Sequence, residues 1–301
     1  MNANRSHLLL VNPASGGGRA RKLLPEVEGE LRRRQIAFRM IETRSLEHGV
    51  EEARRAADAG ETPVVMSGDG LIGQVGGALA GSGASLGILP GGRGNDLARV
   101  LGIPPEPAGA VAVLAQGNER EIDVGEVNGR RFLCIASFGF DSDANRIANE
   151  ARLVRGNLVY AYAALRAMAA WRPATFSVTV NSMEPMTFRG YSVAVANSRA
   201  FGGGMYVAPH AKLDDGLFDI VVIGDIGKIR YLANLRKVFK GTHVEEDEVA
   251  ELPAAGAEIT VSADRDFAVY ADGEHLADLP ATLRVLPRAL RVIAPPAEAE
   301  A

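Results

Sequence analysis

Leu8-Leu9-Leu10-Val11 runs straight into Asn12-Pro13-Ala14-Ser15-Gly16-Gly17-Gly18, and a helical pattern follows over about 19–34. The four apolar residues predict a short buried strand and the Gly-rich segment a tight turn. Leu24, Val27 and Leu31, at i, i+3 and i+7, lay one apolar stripe along the helix. The same alternation continues outward from this unit, with strands predicted at 37–42, 63–66 and 86–89 and helices over 46–59 and 71–80. Short strands alternating with helix-length segments predict parallel strands joined by right-handed crossovers.

Past about residue 120 the grain changes. Alternating patterns predict strands at 130–138, 175–180, 191–196, 217–223, 258–262, 267–271, 281–285 and 289–293, with a helix over 157–171. This half reads as mainly antiparallel β.

Apolar types make up 47% and charged types 23% of 301 residues, a globular mixture that excludes disorder and collagen-like repeats. At about 150 residues per domain the length predicts two domains, with a ligand cleft between them. Lys and Arg total 33 against 37 Asp and Glu, a net charge of −4, which argues against nucleic acid as a partner. An anion site must then be local. The single Cys134 cannot form an intrachain disulfide, which fits the cytoplasm, and its apolar strand pattern places it in the core. No apolar run reaches the ~20 residues that span a bilayer, and the first residues lack the layout of a secretory signal. Contact with a membrane is expected to be peripheral.

Three Gly-rich turns each follow a strand and precede a helix: Asn12 to Gly18, Ser67-Gly68-Asp69-Gly70, and Pro90-Gly91-Gly92-Arg93-Gly94-Asn95-Asp96. Glycine lets a ligand approach the backbone, and free amides at a helix start attract phosphate. One such turn is weak evidence, whereas three at one sheet edge point to a phosphate-bearing ligand. Gly68, Gly70 and Gly73 also satisfy the dinucleotide fingerprint. That fingerprint needs an acidic residue at the end of the next strand, and Leu89-Pro90-Gly91-Gly92 stands there instead. No G-x-x-x-x-G-K-[ST] loop or zinc-ligand spacing occurs.

Asn12 to Gly16 resembles the NPxSG turn, Ser67 to Gly70 the (G/S)GDG turn and Pro90 to Asp96 the PxGxGND turn of the soluble diacylglycerol kinase family, which includes bacterial lipid kinases, sphingosine kinases and ceramide kinases. Ala208, Pro209, Ala211, Asp214, Asp215 and Gly216 resemble its P-x-A-x-x-D-D-G segment, and Asp272-Gly273-Glu274 its late DGE. Five motifs in the right order cover nearly the whole chain.

The resemblance implies a Rossmann-like parallel α/β domain of the phosphofructokinase and NAD kinase type, over 1–125 and completed by about 287–295. An antiparallel β-sandwich for the lipid follows over 126–286, with ATP in the cleft. It implies that Asn12, Pro13, Ala14, Ser15, Gly16, Thr43, Gly68, Asp69, Gly70, Leu71, Gln74, Arg93, Gly94 and Asn95 surround ATP. For Mg²⁺ it implies the Asp215 carboxylate with the backbone carbonyls of Lys212 and Leu217, oxygen donors that suit a hard cation. A second Mg²⁺ would travel with ATP. As general base it implies Glu274, as in bacterial members, or Asp69, as in sphingosine kinases, with Glu274 preferred; Asp272 is expected to support the network through metal or water, and Asp69 to lie near the metal and phosphates.

Departures from the pattern are specific. Leu71 and Gln74 stand where most bacterial members carry Thr and Glu, and Arg93 replaces a Thr or Ser, which predicts a direct guanidinium contact to phosphate. Lys228, Arg230, Arg236, Lys237 and Lys240 share a predicted helix with Ile229, Leu232, Leu235 and Phe239. Such a helix either docks its apolar face on the domain or meets an anionic membrane. The acidic run Glu245 to Glu248 is expected to be a solvated loop. Together these readings predict an ATP-dependent lipid kinase working at a membrane surface, with a homodimer left open. An NAD kinase relative and a non-catalytic nucleotide or lipid sensor are the alternatives.

Overall fold

The computed structural model describes residues 6–140, 142 and 171–297. The first half runs β1 (His7–Val11), α1 (Ser15–Arg33), β2 (Phe38–Glu42), α2 (Leu46–Asp58), β3 (Thr62–Ser67), α3 (Asp69–Leu79), β4 (Ser85–Pro90), α4 (Asp96–Val100) and α5 (Pro107–Gln116). Strand β1 pairs in parallel with β2 and β3, and β3 with β4. Every residue of β3 and β4 is buried, as expected of parallel strands covered by helices on both faces. Regular helix in α1 begins after Gly16, Gly17 and Gly18, which all take positive φ, so the expected start near Arg19 holds. Helix α2 is capped by Ser45, whose side chain accepts the His48 amide.

The second half comprises β5 (Glu119–Val127), β6 (Arg130–Phe132), β7 (Ile135–Gly139), β8 (Ala174–Val180), β9 (Met186–Ala196), β10 (Phe218–Gly224), α6 (Lys228–Val238), β11 (Val249–Gly256), β12 (Glu258–Ala263), β13 (Ala268–Ala271), β14 (Glu274–Asp278) and β15 (Ala281–Ile293). Apart from one parallel contact between β15 and β4, these strands pair antiparallel, the arrangement of an antiparallel β-sandwich attached to a mixed α/β domain. The core of this half is aromatic, with Phe132, Phe138, Phe176 and Phe218 fully buried. The helix expected over 157–171 falls outside the described residues except for Trp171, which packs on Tyr191 and Phe267.

Two strand predictions needed correction. The expected strand 130–138 is β6 and β7, interrupted at Leu133 and Cys134 because their amides bond the Asp272 carboxylate instead of a neighbouring strand. The expected pair 281–285 and 289–293 is the single strand β15, which bulges between Leu286 and Leu290. There Pro287 has no amide to give, and Arg288, at φ +50°, donates its own to the buried Asp123. Strand β15 runs antiparallel along β5 and β12 and ends with Arg291 and Val292 beside Ser85 and Leu86 of β4. Among the described residues no helix is long and apolar enough to cross a membrane.

Candidate active site

Strands β1, β3 and β4 lie side by side and point the same way, so their three Gly-rich turns emerge at one edge, outside the carboxyl ends of the strands. Backbone bonds tie them together: Asn12 donates to the Met66 carbonyl at 3.1 Å and Gly91 to Ser67 at 2.8 Å. A Cβ on Gly92 would lie 2.4 Å from the Gly68 Cα, so turns two and three touch through bare backbone. The result is an open cleft of about 370 Å³, within the size range of small-ligand sites. Of the residues expected around ATP, Asn12, Ser15, Gly16, Gly68, Asp69, Gly70, Leu71, Arg93 and Gly94 line it; Pro13, Ala14, Thr43, Gln74 and Asn95 do not. Thr43 turns its hydroxyl to the Val11 carbonyl, and Asn95 bonds Gly92 through both side-chain atoms. Gly17, Leu46, Ser67 and Gly92 also line the cleft, without having been expected there. The exposed Arg93 reaches back across turn one, its guanidinium 3.1 Å from where a Gly17 Cβ would sit.

Below the cleft, carboxylates brace the turns in series. Asp69, at the start of α3, accepts the amides of Asn95 at 2.8 Å and Asp96 at 2.6 Å, the N-terminus of α4. Asp96 in turn accepts the amides of Gly203 and Gly204, at 2.8 and 2.7 Å, from a loop of the second half. Burial first, and the neighbouring Asp96 second, raise the Asp69 carboxyl above the usual range. Asp96 and the Gly203–Gly204 loop were not among the expected site residues. The signal was present, because Asp96 is the last residue of the third turn and stands on a helix start.

Asp272 and Gly273 form the two-residue turn between β13 and β14, at φ +50° and +86°, the left-handed pair of a tight hairpin. The Asp272 carboxylate accepts the amides of Leu133, Cys134 and Ile135 at 2.7, 3.0 and 3.2 Å. Burial outweighs these donors and pushes it up to about 6. Its carboxylate therefore pins the hairpin to the gap between β6 and β7. Asp69, Asp96 and Asp272 meet around a small space of about 10 Å³ that Cys134 also lines. Burial and these acids raise the Cys134 thiol well above its ordinary value.

Glu274, the first residue of β14, faces Gln74 of α3. The Gln74 amide nitrogen donates to both carboxylate oxygens, at 2.8 and 2.9 Å. A glutamate at 74 would set two carboxylates against each other here. The third predicted group lies elsewhere: Lys212, Asp215 and Leu217 line neither the cleft nor the small space beneath it. Asp215 accepts the Leu217 amide at 3.0 Å, and the fully buried Asp123 secures the same loop through the Gly216 amide at 2.7 Å. Among the described residues no three His, Cys, Asp or Glu side chains gather in a metal-binding arrangement. A cation at this loop would draw on the single Asp215 carboxylate, backbone carbonyls and water, oxygen donors that suit a hard ion.

Residues 6–127 match the diacylglycerol kinase catalytic domain, and residues 134–294 match the YegS C-terminal NAD kinase beta sandwich-like domain. A diacylglycerol kinase of Mycobacterium tuberculosis is 33% identical over 294 residues, covering 95% of this chain and 94% of its own length. A diacylglycerol kinase of Bacillus subtilis is 28% identical over 245 residues, 79% of this chain and 78% of its own. A crystal structure of a diacylglycerol kinase from Bacillus anthracis superposes with a TM-score of 0.74 at 20% identity, over 98% of both chains. An NAD kinase from Archaeoglobus fulgidus, solved in complex with ATP, shares the fold at a TM-score of 0.52 and 12% identity, over 95% of this chain and 93% of its own. With the turns, the hairpin carboxylates and both matching domains in place, the chain belongs to the family of diacylglycerol kinases and YegS-like lipid kinases.

Proposed function

We propose that this enzyme transfers the γ-phosphate of ATP to the hydroxyl of diacylglycerol or a closely related lipid, working from the cytoplasm at a membrane surface. One arrangement supports this most directly: three glycine turns share a single cleft, and a carboxylate held by Gln74 stands on the neighbouring hairpin. Amides of the first and third turns, with Arg93, bind the phosphates of ATP. Asp69 fixes the third turn in the shape those amides require. Glu274 accepts the proton of the lipid hydroxyl as its oxygen bonds to the γ-phosphorus. The bond to the bridging oxygen breaks, and ADP leaves. Mg²⁺, when bound, neutralises charge on the phosphate oxygens. We assign the structural ion to the Asp215 carboxylate and the carbonyls of Lys212 and Leu217, an all-oxygen set that suits it.

The direct test is transfer of labelled γ-phosphate to a panel of diacylglycerol, monoacylglycerol, sphingosine, ceramide and phosphatidylglycerol, with NAD as a soluble control. A labelled diacylglycerol product is expected. Transfer to NAD alone overturns the lipid reading, and ATP binding without transfer to any acceptor makes the chain a sensor.

Arg93→Ala is expected to raise the ATP Kd about tenfold, since a charge-assisted bond contributes roughly 1.5–3 kcal/mol. Calorimetric titration with a non-hydrolysable ATP analogue checks this, and an unchanged Kd removes Arg93 from the phosphate site.

A further inference from the structure

Helix α6 carries two apolar faces instead of one. Tyr231, Leu235 and Val238 follow an i, i+4, i+7 spacing that turns them inward. Tyr231 is buried and stacks on Tyr191 with ring centroids 4.9 Å apart, and Leu235 packs on the aromatic core. Ile229, Leu232 and Phe239, spaced i, i+3 and i+10, lie on an adjoining, outer side and stay 87%, 38% and 52% exposed. The helix is therefore already docked by a different set of residues, and this outer stripe remains without a partner among the described residues.

Charge divides in the same way. Arg230 and Lys237, on the flank, are ion-paired with Glu246 and Glu248, which absorb the acidic run beside the helix. Arg236 and Lys240 lie along the outer stripe and have no ion pair among the described residues. The outer face thus offers three large apolar groups interleaved with two cations and no acid, on a chain whose net charge is −4. An apolar stripe with flanking cations complements a surface of acyl chains beneath anionic headgroups.

The helix is also tied to the active site. Tyr206 donates its amide to the Val238 carbonyl at the end of α6. The loop entering Tyr206 contains Gly203 and Gly204, whose amides hold Asp96 beneath the cleft. We propose that the outer face of α6 and of the turn that ends it, formed by Ile229, Leu232, Arg236, Phe239 and Lys240, is the surface on which this enzyme rests on an anionic bilayer. The proposal builds on the lipid kinase reading, because a bilayer-borne acceptor must be met at the surface that holds it. Docking there sets the Phe201–Tyr206 loop, and the site it braces, beside the membrane.

The test uses the full chain and two variants, Arg236→Glu/Lys240→Glu and the charge-neutral Ile229→Ser/Phe239→Ser. Sedimentation with phosphatidylcholine vesicles, with or without phosphatidylglycerol, measures partitioning. The expected result is preferential binding of wild type to the phosphatidylglycerol vesicles. Charge reversal should lower it about thirty-fold or more, from roughly fivefold per cation at such a surface. The Ser variant should lower it at least about tenfold through lost apolar burial. Both variants should phosphorylate a short-chain, water-soluble diacylglycerol at the wild-type rate and lose activity on bilayer diacylglycerol.

Wild-type partitioning in the Ser variant overturns the proposal. So does a dimer in sedimentation equilibrium that both variants convert to monomer while vesicle binding is unchanged, since the stripe then belongs to a second copy. If wild type binds vesicles through this face yet phosphorylates neither diacylglycerol, the substrate reading fails and the docking face stands.

Discussion

Glu274→Gln is expected to lower kcat about a thousandfold while leaving the ATP Kd within about twofold, because a positioned general base contributes roughly 10²–10⁴-fold. The variant suits the question because a glutamine at 274 can still bond the Gln74 amide, so the hairpin keeps its partner on α3 while the proton acceptor is lost. Single-turnover transfer from labelled ATP measures the chemical step, and calorimetry with a non-hydrolysable analogue measures binding. Near-normal turnover would falsify the assignment and leave Asp69 as the base. That alternative is already burdened, since both Asp69 oxygens are occupied by amides of the third turn.

Gln74→Glu gives the complementary result. It places a second carboxylate against Glu274, so the pair retains a proton to higher pH. The acid limb of the kcat/KM profile is expected to move to higher pH, with the plateau rate largely retained. An unmoved limb would show that Glu274 does not set it.

Asp272→Ala is expected to cost about 4 kcal/mol of stability, because the amides of Leu133, Cys134 and Ile135 lose their shared acceptor inside the protein. Urea unfolding followed by tryptophan fluorescence reports the loss through Trp171 in the aromatic core. The same carboxyl predicts a pH effect with a definite sign. Its folded pKa is about 6 against an ordinary 3.8, so the native state holds the proton more tightly than the unfolded chain does. Its contribution is complete below the unfolded pKa and is lost as pH rises through the folded one, a span worth about 3 kcal/mol. Asp272→Asn has no proton to lose. Its stability deficit relative to wild type should be largest near about pH 4 and shrink by about 3 kcal/mol by about pH 7. A deficit that is flat across this window would mean that the three amides, and not burial, control the group.

Local chemistry made the first half legible. Each strand there is a short apolar run ended by glycine, and each helix has one stripe, so the three turns could be placed before any contact was known. The second half was harder, because side chains distant in sequence edit its strands. Nothing near Leu133 announces that its amide will be taken by Asp272, 139 positions away. Strand β11 hid for a related reason: among the described residues it pairs only with β10, and an edge position tolerates Pro253 and small residues that break the usual alternation. In the site, glycine and Arg93 were readable because backbone shape and charge act where they stand. Asp96 was overlooked because its role depends on Gly203 and Gly204, which only folding brings beneath it. The helix α6 pattern counted Ile229, Leu232, Leu235 and Phe239 as one set, whereas Tyr231 pulls Leu235 inward and leaves the others outside.

Strand β15 carries a consequence for the order of events on the ribosome. Arg291 and Val292 close the sheet of the first half by pairing with Ser85 and Leu86, residues made about two hundred positions earlier. During synthesis at roughly 5–20 residues per second, the β4 edge therefore waits ten seconds or more for its neighbour. Until then it is an unpaired, apolar strand edge, the kind of surface on which nascent chains aggregate. Because β15 also pairs with β5 and β12, its arrival completes both halves in one late step. Loss of this strand would accordingly be felt in the glycine-turn cleft as much as in the sandwich, although none of its residues lines that cleft.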